Sequence, residues 1–266
     1  MGIYDCFMYF DEDLITDLRL NILQDRVDKF VIVEATRDHA GNEKKLNFNI
    51  KNFKKFENKI IYHVVDDIPK KVINYKKGWS ENFYRENFHR NSISNAIKNC
   101  NENDLILISD ADEIPNLKVL DGFKIKKYAL FSQKNFYYKL NLQSPENWLG
   151  TGACYKKFLK SPQWLRNKRF LRRGFLRRIF FKTQIINNGG WHFSFLKTPE
   201  EIKKKMQSYG HGEHQQLSTV DNIVKNIEAK TFFINTDIKL KKIEIDDSYP
   251  EYIEKNKKFL LDWISN

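Results

Sequence analysis

Cysteine is scarce in this chain, with three in 266 residues: Cys6, Cys100 and Cys154. An odd number at such wide spacing makes neither a disulfide framework nor a zinc or redox pair, and suits buried, inert thiols in a reducing compartment. Long apolar runs are missing too. No stretch approaches the ~18 residues that span a bilayer. Met1-Gly2-Ile3-Tyr4-Asp5-Cys6 lacks the basic start of a signal peptide, and Cys6 stands where a myristoylation pattern requires Ser or Thr. The expected location is the cytoplasm. No G-x-S-x-G, Walker A or G-x-G-x-x-G pattern occurs, which argues against nucleophile-elbow hydrolases, P-loop enzymes and dinucleotide-binding dehydrogenases. Acidic residues are outnumbered, 34 against 46 Lys and Arg, for a net charge of +12. That excess favours acidic partners, although much of it is lysine spread along the whole chain.

What is present has the composition of a globular protein, 41% hydrophobic and 30% charged, long enough to bury a sizeable core. The organising stretch is Asp104-Leu105-Ile106-Leu107-Ile108-Ser109-Asp110-Ala111-Asp112-Glu113-Ile114-Pro115. Its short apolar run predicts a buried strand, parallel and covered on both faces. Carboxylates follow where that strand leaves the sheet, and in open α/β sheets ligands bind outside the carboxyl ends of the strands. Asp110 and Asp112 are spaced to share one hard divalent cation, Mn²⁺ or Mg²⁺, whose remaining positions go to water and substrate phosphates. Taken alone, the same residues describe a turn or a helix cap equally well.

Around this stretch, strand and helix patterns alternate. Strands are predicted over 3–10, 30–33 and 59–65, the second ending in Glu34, and helices over 13–25 and 80–99, the latter carrying Arg85 and Arg90. Two strands joined by a helix imply a βαβ unit and a parallel sheet. Residues 129–142 are rich in strand formers. Residues 143–165, with Pro145, Gly150, Gly152 and Pro162, predict a loop. The stretch 166–182 interleaves eight Arg or Lys with Phe170, Phe175, Phe180 and Phe181. Such a stretch suits nucleic acid, an anionic membrane surface or acceptor phosphates, or is a solvated basic loop; specific nucleic-acid binding is not expected. A strand over 179–186 and a tight turn at Gly189-Gly190 into another strand follow. Thr198-Pro199-Glu200-Glu201 is a capping box opening a helix with Ile202, Met206 and Tyr209 on its buried stripe. Gly210 closes that helix. Further helices are predicted over about 219–229 and 250–264.

Two histidines sit in suggestive places, His192 after Gly-Gly-Trp and His211 in His211-Gly212-Glu213-His214. The competing readings are a packed imidazole and a solvated loop. A phosphatase of the haloacid dehalogenase type also places Asp-x-Asp after an apolar strand and would use Asp110 as nucleophile. Against it, Ile114 stands where Thr or Val is usual and the motif lies mid-chain, although Ile243-Glu244-Ile245-Asp246-Asp247 could supply its late acidic motif. A non-catalytic basic protein that binds glycan or nucleic acid is the other alternative.

Several stretches in order resemble glycosyltransferase family 17. They are Tyr4-Asp5-Cys6-Phe7, Phe10-Asp11-Glu12, Leu18-Arg19-Leu20, Val27 to Thr36, Ile108 to Pro115, Gly190-Trp191-His192-Phe193-Ser194 and Ser208-Tyr209-Gly210-His211-Gly212-Glu213. The resemblance implies an α/β, GT-A-like nucleotide-sugar fold with a mainly parallel central sheet, forming one domain over 1–266. The donor side would lie in about 1–128 and the acceptor side in about 129–266. It implies an inverting transfer from a UDP-sugar, with N-acetylglucosamine the expected sugar, to a glycan or lipid-linked glycan acceptor. Asp110 and Asp112, with His211 as third ligand, would hold the metal. Glu34, Arg85, Arg90, Asp110 and His192 would contact the donor. Glu213 would be the general base, with Glu113 as the alternative. Residues 143–182 match nothing in the family pattern. Within that region, 166–182 is the expected surface for peripheral contact with an anionic membrane.

Overall fold

The computed structural model describes residues 1–72, 80–169, 183–208 and 216–265. Four parallel strands form one half of its large sheet: β1 (Ile3–Tyr9), β2 (Lys29–Ala35), β3 (Ile60–Val65) and β4 (Leu105–Ser109). Their order is β3-β2-β1-β4. The chain steps outward from β1 to β3, then returns to lay β4 on the other side of β1. The crevice at the carboxyl ends of β1 and β4 is therefore a topological switch point, the place where such sheets bind ligands. Helix α1 (Asp13–Leu23) makes the first crossover.

Alternation along these strands builds two apolar layers. Phe7, Phe30, Ile32, Leu105 and Leu107 face one cluster; Cys6, Val31, Val33, Ile106 and Ile108 face the other. All are fully or almost fully buried, as expected of parallel strands covered on both faces.

Beyond β4 the sheet continues through β8 (Trp148–Tyr155), antiparallel to both β4 and β6 (Tyr128–Tyr137). This corrects the loop expected over 143–165. Glycine is a poor strand former in isolation, but here the missing side chains make room. A Cβ on Gly150 would stand 1.7 Å from Oε1 of Gln133, and one on Gly152 3.1 Å from Leu165 Cγ. Leu165 belongs to α4 (Pro162–Asn167), also within the expected loop and capped by Ser161.

Short strands complete the sheet: β5 (Glu113–Pro115), β7 (Leu142–Gln143), β9 (Thr183–Ile186), β10 (Gly190–Ser194) and, after the hairpin β11 (Thr231–Phe232) and β12 (Asn235–Lys239), β13 (Lys241–Lys242). The helix expected over 80–99 is two pieces, α2 (Glu81–Asn91) and α3 (Ile93–Ala96), divided at Ser92, whose hydroxyl donates to the His89 carbonyl (2.6 Å). Helix α5 (Pro199–Ser208) has the expected reciprocal capping box, with Thr198 and Glu201 each accepting from the other's backbone amide. Its Ile202 and Met206 join β12-side residues and α6 (Val220–Glu228) in a third apolar cluster. The last expected helix is only α7 (Glu251–Lys255), continued by two 3-10 turns. No helix among the described residues is long and apolar enough to cross a membrane.

β5 and β10 pair so that Glu113 lies opposite His192 and Pro115 opposite Gly190. Gly190 has φ +126°, and a Cβ there would sit 2.1 Å from the Ile114 carbonyl oxygen. Gly190→Ala is therefore expected to lower unfolding free energy by at least about 1–3 kcal/mol, measurable by urea denaturation. An unchanged midpoint would contradict this account of the turn.

Candidate active site

The turn Asp110–Glu113 leaves β4 at the switch point, and buried guanidinium groups hold it. Arg19, on α1, forms a paired bond to Asp5 of β1 (2.6 and 2.5 Å). Its Nη1 donates to the carbonyls of Asp110 (3.2 Å), Ala111 (3.2 Å) and Glu113 (2.6 Å). Three of the turn's four carbonyl groups are thus satisfied from beneath, and the Phe193 amide donates to the fourth, that of Asp112 (2.9 Å). On the side-chain surface, Arg90 from α2 donates to Asp110 Oδ1 (2.9 Å) and Arg166 from α4 to Asp110 Oδ2 (2.6 Å). Arg166 also pairs with both oxygens of Glu113 and donates to the Gly150 carbonyl (2.8 Å).

Glu113, the alternative base, is 0% exposed. Beyond Arg166 it accepts from Trp148 Nε1 (2.5 Å) and the Asp110 amide (3.1 Å). A carboxylate so enclosed and saturated cannot reach an acceptor hydroxyl; it positions the turn. Asp110 is likewise corrected as an open metal ligand, because each of its oxygens already carries a guanidinium. The same engagement removes it as a phosphatase nucleophile, which needs an accessible oxygen.

Asp112 is differently placed. Among the described residues its basic neighbours, Lys205 Nζ from α5 (3.4 Å) and His192 Nε2 from β10 (3.6 Å), stand at longer distances. Lys205 also lies 3.6 Å from Glu12. His192 is fixed by Asn135 Oδ1 at its Nδ1 (2.9 Å) and by stacking on Trp148, with centroids 4.9 Å apart. Burial alone would raise both Asp110 and Asp112. Arg166 and Arg90 outweigh it at Asp110, and Lys205 and His192 at Asp112, so both titrate well below the usual carboxylate range.

These groups border a small concave space of about 50 Å³ that opens to solvent. Residues following β1 (Phe10, Glu12), β2 (Arg37, His39) and β4 (Asp110, Asp112) line it, with Lys205. His39 and His89 meet at 3.3 Å on its wall, and burial pushes both below the ordinary histidine range, so the pair is neutral near pH 7.

Two expected donor contacts lie elsewhere. Glu34 is fully buried and accepts from Lys44 Nζ (2.5 Å), the amides of Asn47 (2.7 Å) and Phe48 (3.0 Å) and the Tyr62 hydroxyl (2.9 Å). It anchors the loop after β2. Arg85 donates to the carbonyls of Pro69, His39 and Lys70 and pairs with Glu81, so it pins two loops to α2. His211 and Glu213 lie outside the described residues, as do 170–182 of the basic stretch. The described start of that stretch turns inward: Arg166 is buried, Lys168 sits over Tyr128 and Trp164, and Arg169 over Trp148. Arg19, Trp148, Arg166 and Lys205 were not singled out from the sequence as site residues. Only Arg19 had a signal, its place in Leu18-Arg19-Leu20.

A curled, mostly parallel sheet with flanking helices, and an acidic turn with basic neighbours at its switch point, is consistent with a GT-A-like fold. The chain belongs to glycosyltransferase family 17, whose model matches residues 2–231. It is similar to the beta-1,4-mannosyl-glycoprotein 4-beta-N-acetylglucosaminyltransferases of Homo sapiens, Rattus norvegicus and Mus musculus, at 26% identity over 222 residues in each case. The matched region covers 74% of this chain and 41%, 40% and 40% of those proteins. The chain thus spans about two fifths of the length of the curated relatives it matches.

Removing one partner of a buried pair strands the other charge, at a cost of about 3–5 kcal/mol. Glu113→Ala is expected to lose that much stability, read by urea denaturation; a loss under 1 kcal/mol would contradict the role given to Glu113. Because the folded pKa values of Asp110 and Asp112 are depressed, their contribution to stability is present above about pH 4 and is lost as pH falls through the folded values. Melting temperature should therefore drop below about pH 4, and less steeply in Asp110→Asn. Identical acid profiles for the two proteins would overturn this.

Proposed function

We propose that this chain transfers N-acetylglucosamine from UDP-N-acetylglucosamine to a glycan or lipid-linked glycan, with inversion at the anomeric carbon. Family membership and the similarity to N-acetylglucosaminyltransferases support the sugar and the reaction class. The observation that carries the site assignment is the switch-point pocket, where Asp112 and Lys205 stand together beside the ends of β1 and β4. Transfer from a nucleotide diphosphate builds negative charge on the leaving phosphate. Lys205, held by Asp112 and Glu12, is a fixed cation poised for that charge.

Among the described residues, the fit to a divalent cation rests on Asp112. Among the described residues no group of three His, Cys, Asp or Glu is arranged to hold one, and Asp110 is occupied by its arginines. Asp112, with its long contacts, retains the capacity to ligate. One carboxylate suits a Mn²⁺ or Mg²⁺ that shares the donor's phosphates, with His211 the further ligand proposed from the segment after α5. Such a cation supplies Lewis-acid stabilisation of the leaving diphosphate. Arg90 and Arg166 keep Asp110 and the turn in place, and His192, braced by Trp148 and Asn135, holds its imidazole against Asp112. Glu213, eight residues beyond Lys205, is proposed as the base that takes the acceptor hydroxyl's proton.

Calorimetry with UDP-N-acetylglucosamine and Mn²⁺ tests this. Asp112→Ala and Lys205→Ala should each weaken donor binding about tenfold or more, equivalent to at least about 1.4 kcal/mol. Glu213→Gln should keep donor binding and lose transfer about 100-fold or more. Undiminished binding in both pocket variants would defeat the site assignment, and full turnover in Glu213→Gln would remove Glu213 as the base.

A further inference from the structure

The turn after β4 divides the carboxyl edge of the sheet, whose order here is β6-β8-β4-β1-β2. The donor pocket occupies one side, over the ends of β1, β2 and β4. The other side is built by β6, β8 and β10. β8 runs antiparallel to β4, with Ile108 opposite Gly152, so Trp148 and the loop before it stand at the carboxyl end of β4. β6 ends at this edge with Tyr137, and β10 runs parallel to it, with His192 opposite Asn135. In an inverting displacement the incoming oxygen attacks the face opposite the leaving group. With the diphosphate beside Asp112 and the nucleoside over β1 and β2, the acceptor comes over β6, β8 and β10.

Residues 144–147 stand on that side. The Ser144 amide donates to the Asn135 carbonyl (2.7 Å) and the Glu146 amide to Ser144 Oγ (3.5 Å), so the loop is tied to the strand that positions His192. Trp148, two residues after Glu146, stacks on His192, which stands 3.6 Å from Asp112. Tyr137 senses both carboxylates: burial raises its phenol above the ordinary value, the Asn135 amide opposes this, and the charges of Glu146 and Asp112 add to the rise. The other acids around the turn are committed, Asp5 to Arg19, Asp110 and Glu113 to Arg166, and Glu86 to Arg90. Glu146 differs. It is exposed, and among the described residues no hydrogen bond or ion pair engages its carboxylate. An ionised carboxylate has two oxygens that only accept, and its hydrogen bonds are of the stronger, charge-assisted kind. Two neighbouring hydroxyls of a pyranose supply two donors to such a pair. Resting on the transfer reaction proposed above, we propose that Glu146 is an acceptor-binding residue, whose carboxylate oxygens take neighbouring hydroxyls of a neutral saccharide. Its charge disfavours an anionic sugar there, in a chain whose net charge is +12.

Saturation-transfer NMR on the full chain tests this, with free chitobiose, cellobiose and mannobiose as probes, in the presence and absence of UDP. At least one probe should bind. Glu146→Ala should weaken that binding at least about tenfold, and Glu146→Gln less, since one accepting oxygen remains. Neither should lower the melting temperature, because the side chain is exposed. Glu102→Ala, which removes an exposed carboxylate before β4 at the opposite edge of the sheet, should leave saccharide binding unchanged. Calorimetry with UDP-N-acetylglucosamine and Mn²⁺ should give Glu146→Ala the donor affinity of the unaltered chain. Saccharide binding is read without the donor, so a chain that fails to bind UDP-N-acetylglucosamine defeats the proposed transfer and still leaves the Glu146 variants to be decided by NMR. Absence of binding by all three saccharides would overturn the proposal. So would saccharide binding unchanged in Glu146→Ala, or donor binding weakened tenfold by it.

Discussion

Buried guanidinium groups, each shared between elements far apart in sequence, hold the whole site together. Arg19 ties α1 and β1 to the carbonyls of the turn after β4, while Arg90 and Arg166 bring α2 and α4 onto the same turn. A guanidinium has five donors in a rigid plane, so one side chain can satisfy several acceptors on a short stretch of backbone. A turn with three carboxylates in four residues would repel itself; these cations neutralise it and fix its shape. The cost is that two of the three carboxylates are committed to structure, and Asp112 alone keeps looser partners.

This division explains why an acidic motif read as a unit separates into different roles. Asp110 and Glu113 are matched with arginines on their inner side, whereas Asp112 faces the pocket with Lys205 and His192. β10 is part of the same arrangement. Its antiparallel pairing with β5, made possible by Gly190, delivers His192 beside Asp112, and Trp148 on β8 covers the imidazole while donating to Glu113. A change at Trp148 would therefore act on the turn and on His192 together.

Much of the parallel half of the fold was legible in the sequence, because fully buried strands announce themselves as unbroken runs of Val, Ile and Leu, as in Phe30 to Val33 and Leu105 to Ile108. The capping box at Thr198 was legible for a local reason as well. Strand β8 was not, since Gly150 and Gly152 look like loop residues until Gln133 and Leu165 are seen filling their space. The partners of the acidic turn were hidden for a related reason. Arg166 begins a run of basic residues that reads as a solvated or membrane-facing surface, and nothing local indicates that its guanidinium turns inward to Glu113 and Asp110. Glu34 and Arg85 show the reverse: charges near the right strand ends whose partners are loop backbone and neighbouring side chains rather than a ligand.

The central claim is that Asp112 and Lys205 face the donor while Asp110 stays bound to its arginines. A crystal structure of the chain with UDP-N-acetylglucosamine and Mn²⁺ tests it most directly. The account predicts the diphosphate beside Asp112 and Lys205, with Arg90 and Arg166 still on Asp110. A diphosphate bound by Arg90 and Arg166, with Asp110 released from both, would contradict it.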